Sequence, residues 1–494
     1  MTASVCQLIY GGTTIDLNDG SVDVLDQFQP RHAPLLPTFA KTPLADGAEL
    51  ALLTRDIITF TVTWQQHAAN LDAHINNFNL IEQLLQVIAP LNQEERSNGF
   101  AYTPVQFKYQ PSGATNYTLV EVLYGVWEPD INAFRLTNLQ ANPPYFGPNT
   151  LTLFCRSNLD DASTTVGVAS TALNNGAGSS LAFSSIGGVG HAPAVITLNT
   201  VSAGSDDIVV VGLRRRGTPA NFVDLYQMEA ATLNTPTSWT VSVITSATEA
   251  GFSPGSSNVG VKIVPSNTTE SLVATITNST NLIDQYGHFK VYMRCKSITT
   301  TAVGLRIRAF AQSGSLAKQY GPFTTYAAVV TAVVGEIEML DLTPLSPLLV
   351  PCVDAKGAAL KSVGFEIWAT ASTIASSPEL RCDYLKLIPT GEGQGGRGSV
   401  YAQFPVALTA TGVDHAVLDA RDNAVSAGLY DNGTPAVLMY PYLNRVGPGI
   451  FLPPAGRLYF LLMQSPNNVH AYATTFNAKV DYIKRYLTMK GTSP

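Results

Sequence analysis

Apolar and polar residues alternate with a period of two over many short stretches of this chain, and one stretch carries the three-and-four spacing of a helix. The alternation predicts strands at Cys6–Tyr10 and Thr13–Leu17, paired as a hairpin. Asn18-Asp19-Gly20 then supplies a turn before a strand at Val22–Leu25. Ile57–Trp64 (IITFTVTW) alternates cleanly. Leu71, Ile75, Phe78, Ile81 or Glu82, Leu85 and Ile88 recur on one helical face, with Asn70 as cap, Asp72 at the positive end and Ala89-Pro90 as the stop. Residues 31–54 are rich in Pro and Ala and lack a clean period, so they read as a long loop or as an arm reaching towards a neighbour. Strands at Val105–Tyr109, Tyr117–Trp127 and Asn149–Arg156 complete an α+β module over residues 1–156.

Beyond it the texture changes. Residues 157–193 are dominated by Ser, Thr, Gly, Ala and Asn. Strands then follow at Ala194–Leu198, Ile208–Leu213 and Phe222–Met228, which places a β-sandwich segment at residues 157–234. A second β domain spans residues 235–390, with strands at Trp239–Ile244, Val259–Val264, Ser271–Ile276, Gly287–Cys295, Ala302–Phe310, Ala328–Val333, Ser362–Ala369 and Cys382–Ile388. Residues 391–398 (GEGQGGRG) read as a Gly-rich linker. Residues 399–494 form a C-terminal β domain that could complete the 157–234 sandwich. It opens on a strand at Ser399–Val406 and holds two long strands, Arg457–Met463 and Ala471–Leu487, the second bent or paired across a subunit boundary. The fold class expected is mainly β.

Composition agrees with a chain that buries much of its surface. Hydrophobic residues make up 45% and charged residues 13%, a balance opposite to that of disorder. The net charge of −7 provides no basic surface for phosphates. The short run Arg214-Arg215-Arg216 reads as a solvated strand end. Five dispersed cysteines, with no C-x-x-C pair, read as buried single thiols rather than a disulfide framework or a zinc site. The start, MTASVCQLIYGG, lacks the features of a secretory leader, and no run reaches the roughly 18 apolar residues that would span a membrane.

Candidate chemistry is sparse. Asp16–Gly20 lacks the downstream Glu of a calcium loop. Gly391, Gly393 and Gly396 match G-x-G-x-x-G but precede a strand instead of the helix a dinucleotide needs. Ser315-Leu316-Ala317-Lys318 fits S-x-x-K without its partner motifs. His67 and His74 lack a third metal ligand, and Asp206-Asp207 and Asp414-His415 read as turn pairs. No catalytic residue, cofactor or metal is therefore assigned. A sugar would need aromatic faces beside polar groups; Trp239, Tyr286, Tyr292, Trp368 and Tyr384 are the candidates, weighed against a plain core role.

Together the T-T-I-D-L-N-D-G hairpin (residues 13–20), the strand of Arg55–Val62, the single helix Leu71–Ile88 and Tyr124-Gly125-Val126-Trp127 resemble the first domain of siphophage distal tail proteins and the related tail-tube fold. Residues 235–390 resemble the jelly-roll, carbohydrate-binding-like inserts of some members, at Tyr286–Tyr292 and Cys382–Pro389. Gly456–Phe460 and Tyr482–Leu487 resemble the ends of phage structural proteins with this layout. The resemblance implies a virion protein of a long non-contractile tail, made in a bacterial host's cytoplasm. Its ring, of tail-tube or distal tail and baseplate type, would be homo-oligomeric, contact neighbouring tail proteins and let DNA pass without specific binding. An adhesin that contacts host-surface glycans is the alternative, and a polysaccharide-degrading enzyme the third reading.

Overall fold

In the computed structural model the N-terminal strands form where the alternation places them. β1 (Ala3–Tyr10) and β2 (Thr13–Asp16) pair antiparallel around Gly11, whose φ of 56° suits a residue without Cβ. Asp16 Oδ1 accepts the Asn18 N–H at 3.0 Å, and Asn18 Oδ1 accepts the Leu25 N–H at 3.2 Å, which turns the chain into β3 (Asp23–Arg31). The structure describes residues 3–19, 23–31, 35–40, 49–55, 57–67, 71–97, 103–113, 117–128, 145–156, 159–160, 165–174, 179–188, 192–199, 207–214, 223–237, 239–245, 252, 258–278, 287–301, 303–313, 317–329, 335, 337–351, 361–390, 399–404, 406, 408, 413–420, 428–431, 434–438, 443–445, 450–463 and 475–486. Gly20, Asn70, the Gly-rich stretch 391–398, Arg215, Arg216, Asp206, Ser315 and Tyr286 lie outside them, as do the side chains of His67 and His74.

Next along the chain come the strands β4 (Leu35–Ala40), β5 (Glu49–Arg55) and β6 (Ile58–His67). After the helix follow β7 (Gln106–Pro111), β8 (Thr118–Glu128) and β9 (Tyr145–Cys155). The sheet runs β2-β1-β7-β8-β9-β6-β3, antiparallel throughout. Laid flat, that path would be roughly 29 Å wide. The connection from Asp16 to Asp23 reaches at most about 25 Å. The sheet therefore curls, and Leu25 packs against the same core as Leu8 and Leu17.

Over this sheet lies the helix α1 (Leu71–Glu82). Phe78 stacks on Trp127 with ring centroids 3.3 Å apart, and Ile81, Leu84, Leu85 and Ala89 are buried. Gly125 on β8 leaves room for Leu85; a Cβ there would sit 2.8 Å from Leu85 Cδ1. The predicted face is corrected in two places. Ile75 is 39% exposed, and the helix does not stop at Ala89-Pro90. It widens into a π turn over Gln83–Ile88, where the Ala89 N–H bonds to Leu84 O, and continues as α2 (Ala89–Ser97). The wider turn lets the chain pass a proline that lacks an N–H without breaking the helix.

Residues 165–214 and 399–482 contribute to one pair of facing sheets. The first sheet orders Thr165–Asn174, Thr475–Tyr482, Ala192–Asn199, Val413–Asp419, Gly428–Asp431 and Thr434–Leu438. The second orders Ser180–Phe183, Gly456–Met463, Ile208–Arg214, Ser399–Gln403 and Leu443–Arg445. Strands at Thr165–Asn174 and Ser180–Phe183 went unread in the Ser/Thr/Gly-rich stretch, because small polar residues give no apolar stripe. The predicted long strand Ala471–Leu487 is split: Thr475–Tyr482 stays in this sandwich, while Arg485–Tyr486 pairs with β10 (Leu159–Asp160), which also pairs with β8. Arg485–Tyr486 thus joins the N-terminal sheet through β10.

Between Ile208–Arg214 and Ser399–Gln403 lies a second pair of sheets. One orders Thr240–Thr245, Asn258–Val264, Leu380–Pro389, Gly287–Ser297 and Ile337–Asp341; the other orders Thr232–Leu233, Ser271–Asn278, Lys361–Ala371, Val303–Ser313 and Gln319–Tyr320. The strand expected at Phe222–Met228 shrinks to Leu225–Gln227 followed by a 3-10 turn. The runs IVVVGL and YFLLM do not alternate, and the structure gives the reason. Val209, Val211 and Phe460 face the first core, whereas Val210, Tyr459 and Leu461 join the second. The two sandwiches press closely at Gly212, where a Cβ would overlap the carbonyl oxygen of Pro389. Arg214, read as a solvated strand end, is buried on this doubly covered sheet, with its guanidinium 5.9 Å from the Phe289 ring centre.

Candidate functional site

Two surfaces bear on function. The first is the ribbon of β3 to β6. Arg31 pairs with Thr59, and Leu35 with Arg55, in one continuing register, so β4–β5 prolongs the β3–β6 ladder. Among the described residues β4 and β5 pair only with each other. The extension adds about 20 Å of two-stranded ribbon. Leu35–Ala40 and Glu49–Arg55 are thus the two strands of an antiparallel ribbon, in a stretch that the sequence reads as a long loop or an arm. β2 and β3 end the sheet, each with one strand partner among the described residues.

The second surface is the outer face of the sheet carrying Val303–Ser313. Its inward residues Val303, Leu305, Ile307 and Ala309 are buried, and Arg306 and Arg308 point outward. The following chain folds back across that face. Arg306 lies 3.8 Å from the Phe323 ring centre and 4.9 Å from that of Tyr326; Arg308 lies 3.9 Å from Tyr320 and 4.5 Å from Phe323. Rings and guanidinium groups therefore alternate as Tyr326, Arg306, Phe323, Arg308, Tyr320, each contact a cation–π pair. Trp368 stands at its flank, edge-on to Phe323 at 5.8 Å.

Carboxylates organise this stack. Glu366 accepts from Arg308 Nε at 2.9 Å, from the Tyr320 hydroxyl at 3.0 Å and from the Trp368 indole at 3.4 Å; Glu270 pairs with Arg306. Burial raises the Glu366 carboxyl, but bonds from Arg308 and Tyr320 outweigh it and hold the group below its ordinary range. Burial, then the hydrogen bond to Glu270, pushes the Tyr326 phenol up to about 12. A carboxyl lowered on folding stabilises above its unfolded pKa and loses that contribution as pH falls through the folded value. The amides of Gly321 and Thr324, which donate to Ala309 O and Ile307 O, are expected to keep their hydrogen-exchange protection at neutral pH and to lose it as pH falls through the lowered Glu366 value. Equal protection across that range would show that Glu366 does not hold the stack.

Of the four described aromatic residues proposed for sugar contact, Trp368 reaches this face and the others do not. Trp239, Tyr292 and Tyr384 are buried, which is a correction to their reading as stacking platforms. The Trp239 indole donates to Asn267 Oδ1 at 2.9 Å. Tyr292 belongs to the core cluster that also holds Val210 and Tyr459 of the first sandwich, and the Tyr384 ring centre lies 5.9 Å from the Arg294 guanidinium. Tyr286 lies outside the described residues. The sequence reading missed Tyr320, Phe323 and Tyr326, whose spacing of three in YGPFTTY, beside the basic face of GLRIRAF, is the signal that could have found them. Asp414-His415 lies on a strand instead of a turn, with Nδ1 and Oδ1 2.7 Å apart. Lys318, from the S-x-x-K match, sits 3.6 Å from Glu366. Among the described residues no group of acidic, His or Cys side chains is placed to hold a metal, and no helix is long and apolar enough to cross a membrane.

No family model and no curated relative matches the sequence. Among solved structures the chain is similar to the SPP1 Dit protein, described as a paradigm of the hub adsorption apparatus in phages infecting Gram-positive bacteria. The identity is 9%, with 77% of this chain and 99% of that one covered, at a TM-score of 0.24. It is also similar to the phage p2 baseplate in its activated conformation with Sr, at 8% identity, 76% and 97% coverage and a TM-score of 0.19. With Ca the values are 10%, 78%, 98% and 0.18. At these identities and TM-scores the likeness carries no argument.

Proposed function

We propose that this chain is a non-enzymatic structural protein of a bacteriophage virion, a ring subunit of a long non-contractile tail at the tail tube or the distal tail and baseplate. Residues 1–156 form the assembly module. Strands from residues 165–214 and 399–482 form one sandwich, with a second sandwich from residues 225–390 inserted in it and residues 391–398 as linker. The observation that carries this reading is the β4–β5 ribbon, which continues the sheet ladder and pairs with nothing else among the described residues. Open strand edges invite pairing, and an assembly protein is where such edges are useful. Partners are then further copies of the chain and adjoining tail proteins, with DNA passing through the lumen unbound; the net charge of −7 favours a lumen that does not retain phosphates.

Negative-stain microscopy of purified full-length protein should show rings or tubes. Monomers at every concentration would sink the reading. Replacing residues 32–54 by a short Gly-Ser turn is expected to abolish rings while leaving the thermal unfolding transition in place. Normal rings from that variant would remove the arm from assembly.

A second reading, display of a glycan-binding face, is favoured by Tyr320 and Tyr326, 44% and 41% exposed on the face that also carries Trp368 and Glu366. Binding to host-envelope polysaccharide, read by calorimetry, should fall at least tenfold, about 1.4 kcal/mol, in Tyr320→Ala/Tyr326→Ala. Undiminished binding in that variant would place the contact elsewhere, and depolymerised glycan would favour an enzyme.

A further inference from the structure

Strands Gly287–Ser297 and Leu380–Pro389 run antiparallel, and a one-residue shift of register after Met293 brings Cys295 directly opposite Cys382. Facing residues on such strands have Cα atoms about 4.5–5.5 Å apart and project to the same face. A disulfide needs Cα atoms roughly 4.4–6.8 Å apart. Both cysteines are free thiols, both are inaccessible, and both belong to one core cluster. Cys6 and Cys155 have no such relation: Cys6 faces Tyr109, and Cys155 faces Ile58 and Val122. Burial holds both facing thiols above their ordinary range, Cys382 at about 12, and for Cys295 the neighbouring Cys382 adds to burial. Thiols kept protonated are inert, so the pair is protected while the strands are closed.

We infer that Cys295 and Cys382 are an oxidative cross-linking site, converted by a low-molecular-weight disulfide into a cross-strand disulfide when the two strands open. One cysteine, as thiolate, attacks oxidised glutathione; a mixed disulfide forms and one glutathione thiolate leaves. The facing thiolate then attacks the protein sulfur of the mixed disulfide, the intramolecular S–S bond forms, and the second glutathione leaves. Two electrons pass from the cysteines to one glutathione disulfide, and the two thiol protons end on the two glutathiones. The bond closes a loop of about 90 residues beside the buried Arg294–Asp383 pair, so it restricts the unfolded chain strongly.

The test holds full-length protein with a glutathione redox mixture in urea just below its unfolding midpoint, then quenches by alkylation and maps peptides. The five thiols titrated in denaturant should fall to three, with one cross-linked peptide pair containing Cys295 and Cys382. The oxidised protein should melt roughly 5–10 °C higher, a gain reversed by reductant. Cys295→Val and Cys382→Val should each abolish the cross-link and the shift. Five thiols persisting in wild-type protein that opens and recloses, or a bond joining any other pair, overturns the inference. Should a valine variant fail to fold, the wild-type peptide map decides alone.

Discussion

Replacing Asp383 by alanine is expected to destabilise the inserted sandwich by roughly 3–5 kcal/mol, the usual cost of leaving one member of a buried ion pair alone. Asp383 is fully buried and Arg294 almost so, and the Arg294 Nη1 donates to Asp383 Oδ2. The guanidinium also lies 5.9 Å from the Tyr384 ring centre and 6.0 Å from that of Phe252. Without Asp383 the nearly buried guanidinium loses its carboxylate and keeps the neighbouring rings of Tyr384 and Phe252. Urea unfolding followed by tryptophan fluorescence measures the loss. The double variant Arg294→Met/Asp383→Leu should be less damaged than Asp383→Ala, because it strands no charge. If the single variant loses less than about 1 kcal/mol, the pair is compensated in a way the geometry does not show.

The second large effect is expected at the joint between the sandwiches. Lys386 is 1% exposed. Its Nζ donates to Ser179 Oγ at 2.6 Å, on the first sandwich, and to Asp224 Oδ2, at the entry to the second. Asp224→Ala leaves this buried cation with a neutral hydroxyl and should cost roughly 3 kcal/mol. Lys386→Met removes the charge and keeps the chain length, and Asp224, about one-fifth exposed, can still reach water. Its cost should be nearer 1 kcal/mol. The order is the test. A Lys386→Met variant damaged more than Asp224→Ala would show that packing of the lysine stem, not its charge, holds the joint.

Much of the local structure could be read from the chain because one layer of burial writes a period of two. Ile58–His67 and Val303–Ser313 are such strands. Two readings differ from the structure for another cause, namely that what covers a residue is set by distant chain. Alternation alone leaves Tyr292 a sugar candidate beside its favoured core role, and strands from the first sandwich close that choice by joining its cluster. Arg214 looked solvated for the same reason. Pro90 looked like a helix stop because a π turn has no signature in apolar spacing. The candidate ligand face is half legible: the sequence predicts the strand Ala302–Phe310, but not the rings that fold back over it.

The sequence by itself determined a mainly β architecture, one long helix, and cysteines spread without a metal-binding spacing, since each depends on neighbours within a few residues. Only the tertiary structure decided that residues 399–482 pair with residues 165–214, that β4–β5 continues the β3–β6 ladder, and that Cys295 meets Cys382. Each of those depends on strand register between segments far apart in the chain. Hydrophobic period says which face of a strand is buried, but not which strand lies beside it.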